Sequence, residues 1–443
     1  MISFLTVLIY TVLGSLTGAL LSLIPSLHIY NVAGFALLIW HASQSLIPQI
    51  AVAPFFLSLV VAFSFINTIP MTFVGAPDES ATVTILPGTK MMMSGAGYEA
   101  AVLTGTGSLI GLFMLIALTP FFFYLFPTIH LIVSPHMHWI LMLVMIYMLM
   151  SEWPKGCGMG KTVLQRFLNA WGNIFAGLLT FGLAGILGII ITSKSPISYE
   201  MGFQNIMPVF VGLFAIPSII QNLLSHENIP DQHIAESINL DARTAGISAY
   251  QGVIGGMIAA YLPAVTAGIG GIIAGHATAQ RGDKLFIISG GVSKVIYYVG
   301  AFLFLFIITP LTPNGLGKGG LNIILKPVLT PEKGDFFVML SVILVSGCLS
   351  FLLLLHMSKW VLAFLKVVDY RHIYIASLIL MFVIVGGLTG FMGLFVMIVG
   401  TFVGMIPVFF HSRRSNCMAV LLIPICLNMA GYGDVVMKFF GLI

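Results

Sequence analysis

Ile140-Leu-Met-Leu-Val-Met-Ile-Tyr-Met-Leu-Met150 holds no charged residue and no alternation of polar with apolar side chains. A strand of a membrane barrel alternates, because one face meets lipid and the other the lumen. A run that is apolar in every register has no lumen face and reads as a helix, whose backbone groups are satisfied internally. Outward from this segment the same composition continues. Residues 1–77 contain no Asp, Glu, Lys or Arg, and further charge-free stretches cover 100–151, 167–193, 201–226, 244–280, 295–317, 336–358, 372–412 and 415–433. At about 20 apolar residues per crossing, these stretches hold roughly eleven to thirteen transmembrane or re-entrant helices.

Whole-chain composition agrees. Of 443 residues 59% are hydrophobic and 7% charged, with a mean hydropathy of +1.08. A soluble domain carries roughly a quarter charged residues. The fold class is therefore all-α, a polytopic integral membrane protein. The first apolar segment opens at Met1–Ile2 without a basic n-region, so a removable signal peptide is not expected. The net charge of +4 builds no basic patch for nucleic acid, and Cys157, Cys348, Cys417 and Cys426 show no paired metal spacing. Basic clusters at Lys155–Arg166, Lys359–Arg371 and Arg413–Arg414 are the candidates for the cytoplasmic side.

An internal echo divides the chain. Gly14-Ser-Leu-Thr-Gly18-Ala-Leu-Leu-Ser-Leu-Ile-Pro25 returns as Gly252-Val-Ile-Gly-Gly256-Met-Ile-Ala-Ala-Tyr-Leu-Pro263, an offset of 238 residues. Glycines four apart also serve plain helix packing. The proline at the same spacing favours a duplication, with residues 1–224 as one repeat half, 225–246 as a connecting loop and 247–443 as the second half. Transporters are often built from such repeats, with substrate held near the midplane by broken helices.

The candidate site lies beyond the first echo, in Asn67-Thr-Ile-Pro70-Met-Thr-Phe-Val-Gly75-Ala-Pro77-Asp78-Glu79-Ser80-Ala-Thr82-Val-Thr84-Ile-Leu-Pro87-Gly88. Three prolines and two glycines preclude one straight helix. Asn67, Gly75, Pro77, Ser80, Thr82 and Thr84 are candidate substrate-binding residues. Asp78, Glu79 and His28 are candidates for coupling to sodium or protons; no other cofactor and no metal centre is expected. The second half answers with Ser289, Gly290, Gly291, Ser293 and Lys294. Lys294 stands among apolar runs, where a charge needs a partner or water. A substrate carboxylate, Asp78 or Glu79 would serve, or the side chain could snorkel to the interface.

Several of these stretches resemble one family. Pro25-Ser-Leu-His28-Ile-Tyr-Asn31, Gly75-Ala-Pro77-Asp78-Glu79 with the later Leu86-Pro87-Gly88, Gly95-Ala-Gly97-Tyr98-Glu99-Ala100, and Ser248-Ala-Tyr250-Gln251-Gly252 through Pro263 are similar to signatures of the large permease subunit of tripartite tricarboxylate transporters, most closely the archaeal-type single-protein branch. The resemblance implies a duplicated helical transporter of the plasma (inner) membrane, taking up an organic carboxylate with an ion gradient. It also implies a small membrane subunit and a solute-binding protein as partners. Ser26 and Ala264 stand where the family carries glycine, and Ser293-Lys294 where it tends to carry Asn and Thr. The competing reading is a translocase for a lipid-linked, polyprenyl-phosphate-type substrate, with Lys294 meeting the phosphate. No constellation of acids, histidines or a nucleophile at helical spacing suggests an enzyme.

Overall fold

The computed structural model describes residues 4–25, 27, 40, 47–75, 85–152, 159–198, 202–225, 229–279, 282–310, 312, 315–316, 322 and 333–442. Among these the regular structure is helical, apart from one isolated bridge between Thr309 and Thr312. In chain order the helices are α1 (Phe4–Ser22), α2 (Gln49–Ile66), α3 (Thr68–Phe73), α4 (Ile85–Met93), α5 (Gly97–Val133), α6 (Met137–Met150), α7 (Val163–Ser193), α8 (Gly202–Phe210), α9 (Ile216–Leu224) and α10 (Ala242–Tyr261). There follow α11 (Ala267–Ala279), α12 (Asp283–Val295), α13 (Ala301–Leu303), α14 (Lys333–Leu365), α15 (Tyr370–Phe409), α16 (Ala419–Met429) and α17 (Gly433–Phe439).

Eight helical stretches among the described residues are long and apolar enough to cross a membrane, or nine if the bent pair α16–α17 counts as one span. One of the eight, α15, is interrupted at Gly390, whose φ of 64° lies outside the helical region. The chain is thus an all-α, multi-pass membrane protein. Its lipid faces are visible as large apolar side chains left open, such as Phe391, Phe402, Leu164 and Val383. Trp139, Trp171 and Trp360 are exposed as well, as aromatic anchors at membrane boundaries are.

The helices form two compact units, 1–131 with 226–377, and 132–225 with 378–443. In the first unit α1 packs on α2 and α10 on α12, each through a glycine pair. A Cβ at Gly14 or Gly18 would run into the carbonyl oxygens of Phe55 and Leu59. A Cβ at Gly252 or Gly256 would come within 2.7 Å of the Ser289 oxygen or 2.8 Å of the Ser293 oxygen. Both echo segments therefore let two backbones touch, which in lipid replaces the missing hydrophobic drive with close van der Waals packing. A hydroxyl chain links three helices nearby: Ser15 donates to Ser346 at 2.8 Å, and Ser346 to the Ser58 carbonyl at 3.0 Å.

In the second unit α7 starts with a capping box, Thr162 accepting from the Gln165 amide at 3.2 Å. Further along α7, Gly188 abuts the Val420 carbonyl of α16. Buried Glu152, after α6, accepts from the backbone amide of Arg413 and from Asn416 Nδ2. A π-helical turn, Val211–Ala215, joins α8 to α9, and its Gly212 lies against the backbone of α15 at Met397.

Ala264, which follows the second echo's proline, adopts φ 59°. That left-handed backbone favours glycine, the residue that the resembling family carries there. Ala264→Gly is expected to raise stability by about 1 kcal/mol, read as a higher midpoint of thermal unfolding. Gly18→Leu should lower it by about 1–3 kcal/mol through overpacking. Gly172→Ala, in a helix position with open space around it, should do no harm.

Candidate functional site

Helix α12 is gripped from two sides by glycine contacts. On one side stand Gly252 and Gly256 of α10, as above. On the other, Gly107 of α5 abuts the Ile288 carbonyl, and Gly291 of α12 abuts the Thr104 carbonyl of α5. A Cβ at Gly111 would come to 2.9 Å from the Val292 Cα. Such contacts leave little freedom to slide or rotate, so the azimuth of α12 is fixed by backbone contact rather than by flexible side chains. At its far end the helix loosens into a π-helical turn, Ile296–Gly300.

That clamped azimuth aims Lys294. The side chain is 3% exposed, and Nζ donates to Thr68 Oγ1 at 3.0 Å. Thr68 is the first residue of α3, directly after Asn67, which is also buried. Lys294 thus does not reach out along its stem to an interface. It runs between helices into the polar end of the first signature, where a hydroxyl receives it.

Asn67 keeps helical dihedrals, so α2 runs on into α3 as one apolar stretch, Gln49–Phe73, which receives Lys294. Helix α2 ends at Ile66 and Asn67 forms the junction, its amide donating to Phe63 O at 3.0 Å and its carbonyl accepting from Met71 N at 3.2 Å. Pro70 interrupts the i→i−4 ladder of this stretch, having no N–H to give the Ile66 carbonyl. The helix stops at Phe73, and Gly75 takes φ 62°. Tyr374, near the start of α15, donates its hydroxyl to the Val74 carbonyl at 2.9 Å and fixes this end. Phe63 of α2 and Tyr298 of the π turn stand edge to face, 6.1 Å between centroids.

The other candidates divide. Ser293 donates to the Ala267 carbonyl at 3.3 Å and Ser289 to the Phe286 carbonyl at 3.0 Å. Gly291 packs on α5 and accepts from Ser108 at 3.4 Å, while Gly290 beside it is half-buried. Lys294 meets Thr68, the neighbour of Asn67 in the chain, while Gly75 lies past the other end of α3. His28, Pro77, Asp78, Glu79, Ser80, Thr82 and Thr84 lie outside the described residues. Reading by sequence passed over Thr68 and Tyr374. Thr68 had a signal, a hydroxyl beside Asn67 at the entry to a proline-broken stretch, whereas Tyr374 sits in an apolar helix 300 residues from its partner with no motif to mark it.

Polar groups and a buried cation gathered inside an apolar helical body mark the candidate functional site of a multi-pass membrane protein. Comparison with known proteins gives the family. The sequence model described as the tripartite tricarboxylate transporter TctA family matches residues 8–419, and the chain belongs to that family. An archaeal protein of Methanocaldococcus jannaschii, described as uncharacterized, is 25% identical over 430 residues, covering 95% of this chain and 98% of its own length. That relative agrees with the archaeal-type branch of the family. No solved structure matches the chain.

Replacing Thr68 with Val deprives Lys294 Nζ of this acceptor and is expected to cost about 0.5–2 kcal/mol. In a double-mutant cycle with Lys294→Met, thermal unfolding should show the two losses failing to add, because they report one bond. Additive losses would mean that the bond contributes nothing.

Proposed function

We propose that the protein is a secondary transporter of the plasma membrane that moves a small organic anion of the carboxylate type, driven by a sodium or proton gradient. The observation carrying this reading is the buried Lys294 at 3.0 Å from Thr68, at the junction of two segments drawn from opposite halves of the sequence. A cation inside an apolar helix is costly and stays charged only where an anion, dipoles or water compensate it. A carboxylate substrate supplies that anion transiently, and the neighbouring hydroxyl and amide groups orient it. Residues Asn67 through Thr84 of the first signature and Ser289 through Lys294 of the second form the two walls. Asp78, Glu79 and His28 hold the coupling ion, since a carboxylate beside a bound anion is stabilised when sodium or a proton neutralises it.

The unit boundaries favour a duplicated architecture. Shifting the first boundary, at 131, by the 238-residue echo offset gives 369, eight residues short of the boundary at 377. Each compact unit therefore draws on corresponding parts of the two halves. Family membership adds an expected small membrane subunit and solute-binding protein, which would deliver substrate to this chain.

Uptake of radiolabelled di- and tricarboxylates into proteoliposomes, with an imposed sodium or proton gradient, tests the reading. Lys294→Met should raise KM by about tenfold or more, the equivalent of losing at least 1.4 kcal/mol of binding. Asp78→Asn and Glu79→Gln should uncouple uptake from the gradient. Normal, gradient-dependent transport in both of those variants would remove the coupling assignment. Movement of polyprenyl phosphate but of no carboxylate would replace this reading with lipid translocation.

A further inference from the structure

The loop between α9 and α10 is not a loose connection. Gln232 receives the Gly97 amide on Oε1 at 2.8 Å and donates from Nε2 to the Met92 carbonyl at 3.0 Å. The His233 amide donates to the Gly95 carbonyl at 2.8 Å. Two residues thus pin the loop across the α4–α5 turn as a strap. Further on, Ile238 and Leu240 pack against the core cluster of Ala100, Leu103, Ile287 and Ile288.

Between these anchor points the strap forms one wall of a groove of about 460 Å³, whose other walls are the start of α5 and the last third of α14. The groove is graded. Of its lining, Lys359, His356, Glu236 and Ser237 are exposed, Leu355 and Phe351 are half-buried and Val102 is buried. Leu355 and Phe351 stand one and two helical turns before Lys359 on the same face of α14. Trp360, next to Lys359, is 71% exposed. A lysine and an open tryptophan near the end of an apolar helix mark the membrane–water boundary, so the polar end of the groove lies at headgroup level and the apolar end at acyl level.

The polar end carries both signs. Lys359 Nζ lies over the Tyr98 ring, 5.9 Å from its centre, which holds the ammonium at the groove wall. Glu236 contributes a carboxylate. His356 Nδ1 donates to the Leu352 carbonyl at 2.8 Å, since a carbonyl can only accept. One ammonium and one carboxylate complement a headgroup with a phosphate and an ammonium that still has N–H bonds. We propose that this groove binds a zwitterionic phospholipid with a primary-ammonium headgroup: phosphate on Lys359, ammonium on Glu236, and an acyl chain along Val102, Leu355 and Phe351.

Native mass spectrometry of the whole chain in detergent, titrated with phosphatidylethanolamine, phosphatidylcholine and phosphatidylglycerol of the same acyl chains, tests this. Phosphatidylethanolamine should bind about tenfold tighter than either of the others, because one lacks N–H donors and the other the ammonium. Glu236→Gln should abolish that preference while leaving phosphatidylglycerol bound as before, and Lys359→Met should weaken all three by about fivefold or more. Both side chains are exposed, and an unchanged thermal midpoint without lipid will verify that each variant is folded. Equal retention of the three lipids, an unaltered preference in Glu236→Gln, or phosphoethanolamine without acyl chains binding as tightly as the lipid would each overturn the proposal.

Discussion

Backbone touching backbone is the constraint on which the first unit depends. Lipid offers no hydrophobic gain for bringing helices together, so association rests on how closely main chains approach and on the few hydrogen bonds between them. Gly14 and Gly18 meet α2 at Phe55 and Leu59, Gly252 and Gly256 meet α12 at Ser289 and Ser293, and Gly107 and Gly291 join α5 to α12. These contacts are stiff, and their stiffness is what lets α12 carry a lysine into the interior with a defined aim. Lys294 reaches Thr68 because its helix is held on two flanks, and Thr68 is there to be reached because α2 runs on through Asn67 into α3, which breaks off before Gly75.

The break has its own support. A helix interrupted at membrane depth leaves backbone groups that lipid cannot satisfy, so such segments survive only where protein surrounds them. Around α3 that protein is aromatic and nearly closed. Phe63, Phe73 and Tyr298 are each at most 1% exposed, and Tyr374 takes up the Val74 carbonyl at the segment's end. Asn67, Thr68 and Lys294 are all buried, the setting in which a charge acts strongly on an anion.

Most of the helical body was legible in the sequence because its solvent is lipid: Ile140–Met150 has no polar register, and that alone separates helix from barrel. The glycine echo was legible as a pattern, but whether a small-residue pair lines a cavity or packs a helix depends on the partner, which for Gly291 is the Thr104 carbonyl. Lys294 announced itself as a charge between apolar runs. Thr68 was marked only by its place beside Asn67, and nothing in the sequence tied it to a lysine 226 residues away. The units escaped a linear reading for the same reason. Each is assembled from two separated stretches, and contiguous halves are all that composition along a chain can suggest. Ala264 shows a subtler limit: its departure from glycine is visible in the sequence, but only the backbone, at φ 59°, reveals that the substitution sits on a left-handed turn.

The interleaving of the two units also sets an order on biosynthesis. Residues 1–131 enter the membrane before residue 226 exists, and the 94 residues between them belong to the other unit. At 5–20 residues per second, that is a wait of roughly 5–20 s. During it α1 and α2 can close on each other through Gly14 and Gly18, both partners being already made. Thr68 has no lysine to meet until α12 has been translated. The nascent first half must therefore hold its broken, polar segment in the bilayer without its later covering, a long interval for insertion machinery or lipids to attend to.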